Sequence, residues 1–159
     1  MPFERDSVLG KDCILYYNTG THATPVWVPI PRAKDVKVDP LSKGKAEQKA
    51  RLSKFNFKRG THIEMGLSFG YDYEPGDGDT VFPVLLDSFL NNTPIEFFAA
   101  DGDASTEGTQ GPRMVCEVFE CPLGQELDNP ASVEISAEIT RVTEGGSVVE
   151  PDWYTVPAA

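Results

Sequence analysis

Over residues 62–71 apolar and polar side chains alternate without a break. Ile63, Met65, Leu67, Phe69 and Tyr71 share one face, and His62, Glu64, Gly66, Ser68 and Gly70 share the other. Period two sustained in this way predicts a half-buried β-strand. The alternation returns over 133–140, where Val133, Ile135, Ala137 and Ile139 oppose Glu134, Ser136, Glu138 and Thr140. Shorter β-like runs occupy 13–17, 26–30, 35–39, 95–100 and 114–120, with Pro, Gly and Asn clusters between them. One segment changes period. Phe82, Leu85, Leu86, Phe89 and Leu90 recur at helical spacing and predict a helix over 80–90. Asp79 or Thr80 caps its start, Pro83 sits harmlessly in its first turn, and Asn91, Asn92 and Pro94 stop it. About seven strands and one short helix predict a mainly β fold, an antiparallel sandwich or barrel with the helix covering one end.

Two segments read as exposed. Residues 41–57 (LSKGKAEQKARLSKFNF) are too rich in Gly, Lys and Gln for a core strand, so they form a long loop or a protruding hairpin. Residues 101–112 (DGDASTEGTQGP) form an acidic, glycine-rich loop. Charge sharpens this picture: ten of the 14 Lys and Arg residues lie between Arg32 and Arg59, a stretch of net charge +7 in a chain of net charge −11. Copies divided in this way attract one another head to tail. The acidic balance argues against a reader that grips nucleic-acid phosphates, but not against a wall past which DNA slides.

At 159 residues the chain fits a single domain, 1–159. Its apolar runs are too short to span a bilayer and residues 1–10 carry no signal-peptide core, so no membrane segment is expected. Three cysteines, Cys13, Cys116 and Cys121, cannot all pair and suit a reducing compartment, with a Cys116–Cys121 bridge left open.

Catalytic signals are poor. Gly66-Leu67-Ser68-Phe69-Gly70 matches the G-x-S-x-G nucleophile elbow, but Ser68 lies inside an alternating strand and no helix start follows. Both histidines, His22 and His62, precede Ser68, the reverse of the elbow enzymes' order. Asp101-Gly102-Asp103 and Asp77-Gly78-Asp79 resemble calcium loops without the Gly and Glu that an EF-hand requires, which leaves only an incidental Ca²⁺ site open. No zinc spacing and no phosphate loop is present in the sequence, so no enzyme and no cofactor is expected.

Read in order, the pieces resemble the major tail tube proteins of tailed bacteriophages. The short strand within 10–17, the segment 33–38, the loop carrying Ala46-Glu47 and Arg51, and the strand ending in Tyr71-Asp72 follow the family's sequence of elements. The helix, Asn92-Thr93-Pro94-Ile95, the Asp101-Gly102-Asp103 turn, Gln110-Gly111-Pro112 and the polar turn 123–127 before the last long strand continue it. The resemblance covers 10–142; the basic loop 41–59 lacks the family's tryptophan, and 143–159 is an extension without a counterpart. It implies a structural virion protein assembled in the host cytoplasm into the tail. Its subunits would join edge to edge into ring-shaped β-barrels, hexameric and stacked. Its partners would be further copies, the tape measure protein and other tail proteins, with phage DNA passing through the lumen unbound. Lys43, Lys45, Glu47, Lys49, Arg51 and Lys54 would then contact the next ring, and Glu64, Ser68, Glu134, Ser136 and Glu138 would face the lumen. The alternative is a monomeric β-sandwich module for a carbohydrate or protein ligand, stabilised by Ca²⁺.

Overall fold

A computed structural model describes residues 8–74 and 78–158; Asp77 and the readings of residues 1–7 lie outside the described residues. In chain order the elements are β1 (Ile14–Asn18), β2 (Trp27–Pro29), β3 (Ala33–Lys37), β4 (Leu41–Lys49), β5 (Asn56–Asp72), α1 (Phe82–Asn91), β6 (Ile95–Ala100) and β7 (Gln110–Glu120). There follow β8 (Leu123–Gly124), β9 (Ser132–Ile139), β10 (Thr143–Glu144), β11 (Ser147–Val148) and β12 (Asp152–Thr155).

Ten of these strands form one antiparallel sheet with the path β2-β1-β6-β7-β9-β5-β3, while β4, β8 and β12 join it along β5, β9 and β7. β2 and β3 stand at opposite ends of that path, yet only residues 30–32 connect them. The sheet therefore curls until its margins nearly meet. It does not close: among the described residues β3 pairs only with β5, and β2 only with β1. The antiparallel β reading holds, but the barrel that it allowed is corrected to an open, curled sheet, with β10 and β11 paired in a separate two-stranded sheet.

The apolar faces read from the alternation line the inside of the curl. Leu67, Phe69 and Tyr71 of β5, Val133, Ile135 and Ala137 of β9, and Met114, Cys116 and Val118 of β7 are buried together with Phe97 and Leu15. Burying one such side chain contributes about 2 kcal/mol, which is why the inner face stays apolar along these strands. A smaller cluster forms on the opposite face, where Tyr16, Phe98 and Ala100 are covered by Trp27, Tyr154 and Val156. Gly111 is needed at this layer, because a Cβ there would come within 1.9 Å of the Ala99 carbonyl oxygen. All three cysteines are free, and burial pushes the Cys116 thiol up to about 12.

α1 packs on the inner side of β7, with Leu85 in the core and the buried Ser88 hydroxyl accepting the Val118 N–H at 3.1 Å. Its start is fixed by Asp79, which accepts from the Val81 and Phe82 N–H groups and the Tyr71 hydroxyl through Oδ1 and from the Glu74 N–H through Oδ2. Its end is fixed by Asn92, in the left-handed region at φ 57°. Among the described residues no helix is long and apolar enough to cross a membrane.

Partial burial alone would raise the Asp79 pKa, but these hydrogen bonds outweigh it and hold the carboxyl below its usual 3.8. A depressed folded pKa contributes stability that is present above 3.8 and is lost as pH falls through the folded value. Asp79→Ala is therefore expected to cost about 1–2 kcal/mol near neutrality. The gap from wild type should narrow as urea denaturation is repeated down to pH 2, and a gap that is constant with pH would contradict it.

Candidate functional site

The long segment 41–57 is neither a free loop nor a core strand. β4 pairs with the first half of β5 to make a hairpin that leaves the body. Every residue from Leu41 to Glu64 is exposed. Lys43 stands opposite Ile63, Lys45 opposite Gly60, Glu47 opposite Lys58 and Lys49 opposite Asn56, so these charges share one face. Arg51 and Lys54 lie in the connecting turn. Of the basic block, Arg32, Lys34 and Lys37 are paired with Glu74, Asp72 and Asp39 at 2.8, 2.8 and 3.1 Å. The Lys and Arg residues of the hairpin make no ion pair among the described residues. Lys58, Arg59 and the exposed apolar Leu41, Leu52, Phe55 and Phe57, all within the basic segment 41–59, belong to the same feature. Ile63, read from the alternation as part of the apolar face of a half-buried strand, joins them as an exposed residue.

The backbone of this hairpin is as informative as its charge. β3 and β4 run in succession along one side of β5, whereas β9 covers the other side only from Gly66 to Asp72. Residues 56–65 of β5 therefore have no strand on that second side among the described residues, and β4 has none beyond β5. Strand edges of this length template the addition of further strands. An apolar-walled groove of about 970 Å³ runs beside the open β5 edge, bordered by Leu41, Ile63, Met65, Ile139 and Trp153.

The polar face of the body is continuous. Ser68 sits between Lys37 and Ser136, Gly70 between Lys34 and Glu134, and Gly66 beside Glu138, whose other neighbour is Glu117. Glu134 and Glu138 are exposed, and Ser68, Ser136 and Glu117 are half-buried. Glu64 lies one step outside this group, opposite Ser42 at the root of the hairpin. Glu117, absent from the sequence-based set, joins it because β7 pairs with β9 on the side away from β5. Gly66 permits the approach of residues 39–40, for a Cβ there would meet the Pro40 Cδ and the Ala137 carbonyl oxygen at 2.9 Å. The Lys34 ammonium is held above its usual pKa chiefly by its hydrogen bond to Asp72, with smaller help from Glu134.

Ser68 faces Ser136 within the sheet, with no elbow at its position. His22 is engaged by Glu96, while His62 stands on the exposed hairpin. Asp103 is spent on the Ser105 N–H and hydroxyl, and Asp101 accepts the Gln110 N–H. Among the described residues no group of three or more His, Cys, Asp or Glu is placed to hold a metal.

No family model matches the chain, and no curated protein matches it by sequence. Solved structures do. The fold is similar to a protein of the SPP1 tail tube at TM-score 0.67 and 12% identity, covering 96% of this chain and 81% of that one. A protein of the tail of an empty gene transfer agent particle, refined with C6 symmetry, matches at TM-score 0.61 and 11% identity over 91% and 98% of the two chains. A protein of the sheath–tube complex of PVC, an extracellular contractile injection system, matches at TM-score 0.60 and 10% identity over 95% and 93%. The chain has the fold of tail tube proteins.

Proposed function

We propose that this chain is the structural subunit of a phage tail tube: copies join edge to edge into hexameric rings, and the rings stack around a lumen that conducts DNA. The observation that carries the reading is the open hairpin. Ten residues of β5, at about 3.3 Å each, leave roughly 30 Å of unpaired backbone beside an apolar groove. A neighbour related by rotation about a ring axis brings its β4 antiparallel to this edge, as β4 already is to β5 within the chain. Repetition then removes every such edge. The six-fold symmetry of the gene transfer agent tail supports a ring of six. A monomeric ligand-binding module, the alternative reading, would leave this backbone open to aggregation.

The polar face carrying Glu64, Ser68, Glu117, Glu134, Ser136 and Glu138 is the natural lumen wall. Its carboxylates repel phosphates, so a polyanion passes without the counter-ion release that grips it. The subunit is non-enzymatic on this reading, resides in the virion tail after assembly in the host cytoplasm, and takes the tape measure protein and other tail proteins as partners. Lys43, Lys45, Glu47, Lys49, Arg51 and Lys54 contact the adjoining ring.

Negative-stain microscopy and sedimentation of the purified chain at rising concentration test the proposal directly. Six-fold rings or tubes are expected; a strict monomer throughout would overturn it. Replacing Glu134 and Glu138 with Lys is expected to leave tube formation intact and to reduce DNA delivery by the assembled particle. Normal delivery would remove these residues from the lumen.

A further inference from the structure

We infer that the tip of the basic hairpin of one copy docks on the opposite end of a second copy, at a surface made by Phe119, Glu120, Leu123, Glu126, Leu127 and Asp128. The inference rests on the tube reading and names the receiving surface that stacking requires. Register fixes where that surface lies. Leu123 of β8 stands opposite Val133 of β9, and Val133 stands opposite Tyr71 near the end of β5. The hairpin tip lies beyond Asn56, at the other end of the same strand. Along the 17 residues of β5 the two surfaces are therefore on the order of 50 Å apart and point in opposite directions.

Both surfaces combine an apolar centre with charge, and the charges are opposite. At the tip, Leu52 and Phe55 are 109% and 72% exposed between Arg51, Lys54 and Lys58. At the far end, Phe119, Leu123 and Leu127 are 51%, 53% and 99% exposed within nine residues of chain. Phe119 falls on the outer face of β7 by simple alternation, two residues after Glu117 and beside the irregularity in the β7–β9 ladder between Val118 and Glu120. Apolar side chains gathered in this way mark an interaction surface more than scattered ones do. From residue 114 to 140 there is no Lys or Arg and there are six carboxylates, whereas 41–59 has seven basic residues and one acidic. Glu120 and Asp128 make no ion pair among the described residues, and the Glu126 carboxylate accepts the Asn129 side-chain N–H at 2.7 Å. A contact between two different surfaces at opposite ends does not close on itself, so it propagates as an open stack. The charges set register and encounter, and the apolar centres hold the contact.

Charge exchange between copies tests this. Full-length chains carrying Glu120→Lys, Glu126→Lys and Asp128→Lys, or Lys49→Glu, Arg51→Glu and Lys54→Glu, are each expected to form rings but to lose tube-length material at least about tenfold, since facing like charges cost several kcal/mol. Mixing the two ring populations restores tubes, because each variant's hairpin then meets the opposite charge. A photo-crosslinking benzoylphenylalanine in place of Phe55 in the otherwise native chain should label residues 119–128 of another copy. Normal elongation by the first triple variant, no rescue on mixing, or crosslinks confined to other segments would overturn the docking surface and leave the ring reading standing. A native chain that never leaves the monomer state would overturn both.

Discussion

Excising residues 43–63 and joining Ser42 to Glu64 through Asn-Gly yields a folded monomer that makes neither rings nor tubes. Ser42 and Glu64 are direct cross-strand partners, so a two-residue type I′ turn fits between them. Every excised side chain is exposed, and none belongs to either apolar cluster. Their loss removes almost no buried area, and the shorter connection costs less closure entropy. Stability should therefore stay within about 1 kcal/mol of the full chain, as for changes remote from a core. Assembly should fall below detection, because both the open β5 edge and the charged tip are gone. Thermal melting with sedimentation reads the two effects separately. Rings formed by the excised chain would show that the hairpin is dispensable for closure, and collapse of the monomer would show that it is part of the folding unit.

The body of the fold is legible because its strands face different surroundings on their two sides. In the body half of β5 the alternating Leu67, Phe69 and Tyr71 are buried, as are Val133, Ile135 and Ala137 of β9. Ile63, read onto the same face, is exposed because β5 runs out into the hairpin there. Residues 95–100 are found as a strand with those bounds. α1 was legible through its stripe, Asp79 and Asn92, all local chemistry. For β4 the sequence left a long loop and a protruding hairpin open, and the hairpin is what forms. The choice was not legible because both faces of β4 are exposed, so no apolar–polar contrast is written into Lys43, Lys45 and Glu47. Its strand conformation comes from pairing with β5. The lumen candidates Ser68, Ser136, Glu134 and Glu138 were found together because face membership follows from parity alone. Glu117 was missed because parity within β7 does not say which strand lies beside it. The extension 143–159, for which the resemblance offered no counterpart, supplies β12 to the main sheet. Its Asp152 and Tyr154 contact Arg113, well before them in the chain, and no local pattern announces that pairing.

Arg113→Ala is expected to release this C-terminal strand. Arg113 is only 7% exposed, and its guanidinium donates from Nε and Nη2 to the two Asp152 oxygens at 2.9 and 2.7 Å and lies 4.3 Å from the Tyr154 ring centre. The same cation stands beside His22, whose partner Glu96 is buried and also receives the Asn18 amide at 2.9 Å. Alanine removes the fork, opens space beneath Tyr154 and leaves Glu96 without its nearest guanidinium. Breaking a buried pair costs about 3–5 kcal/mol, and the partial exposure of Asp152 puts this case at the low end, near 3 kcal/mol. Lysine is no substitute, because a single ammonium cannot reproduce the two-pronged contact. Amide exchange discriminates the cause. The Val156 N–H, bonded to the Thr109 carbonyl, and the Gly108 N–H, bonded to the Val156 carbonyl, should lose protection in the variant while the Phe97 and Ile135 amides keep theirs relative to global unfolding. Combined with Asp152→Ala, the loss should be less than additive, because the first substitution already removes the interaction that the second one breaks. Unchanged protection at Gly108 and Val156 would show that the strand is held by its ladder and the Tyr154–Phe98 contact alone, with Arg113 a bystander.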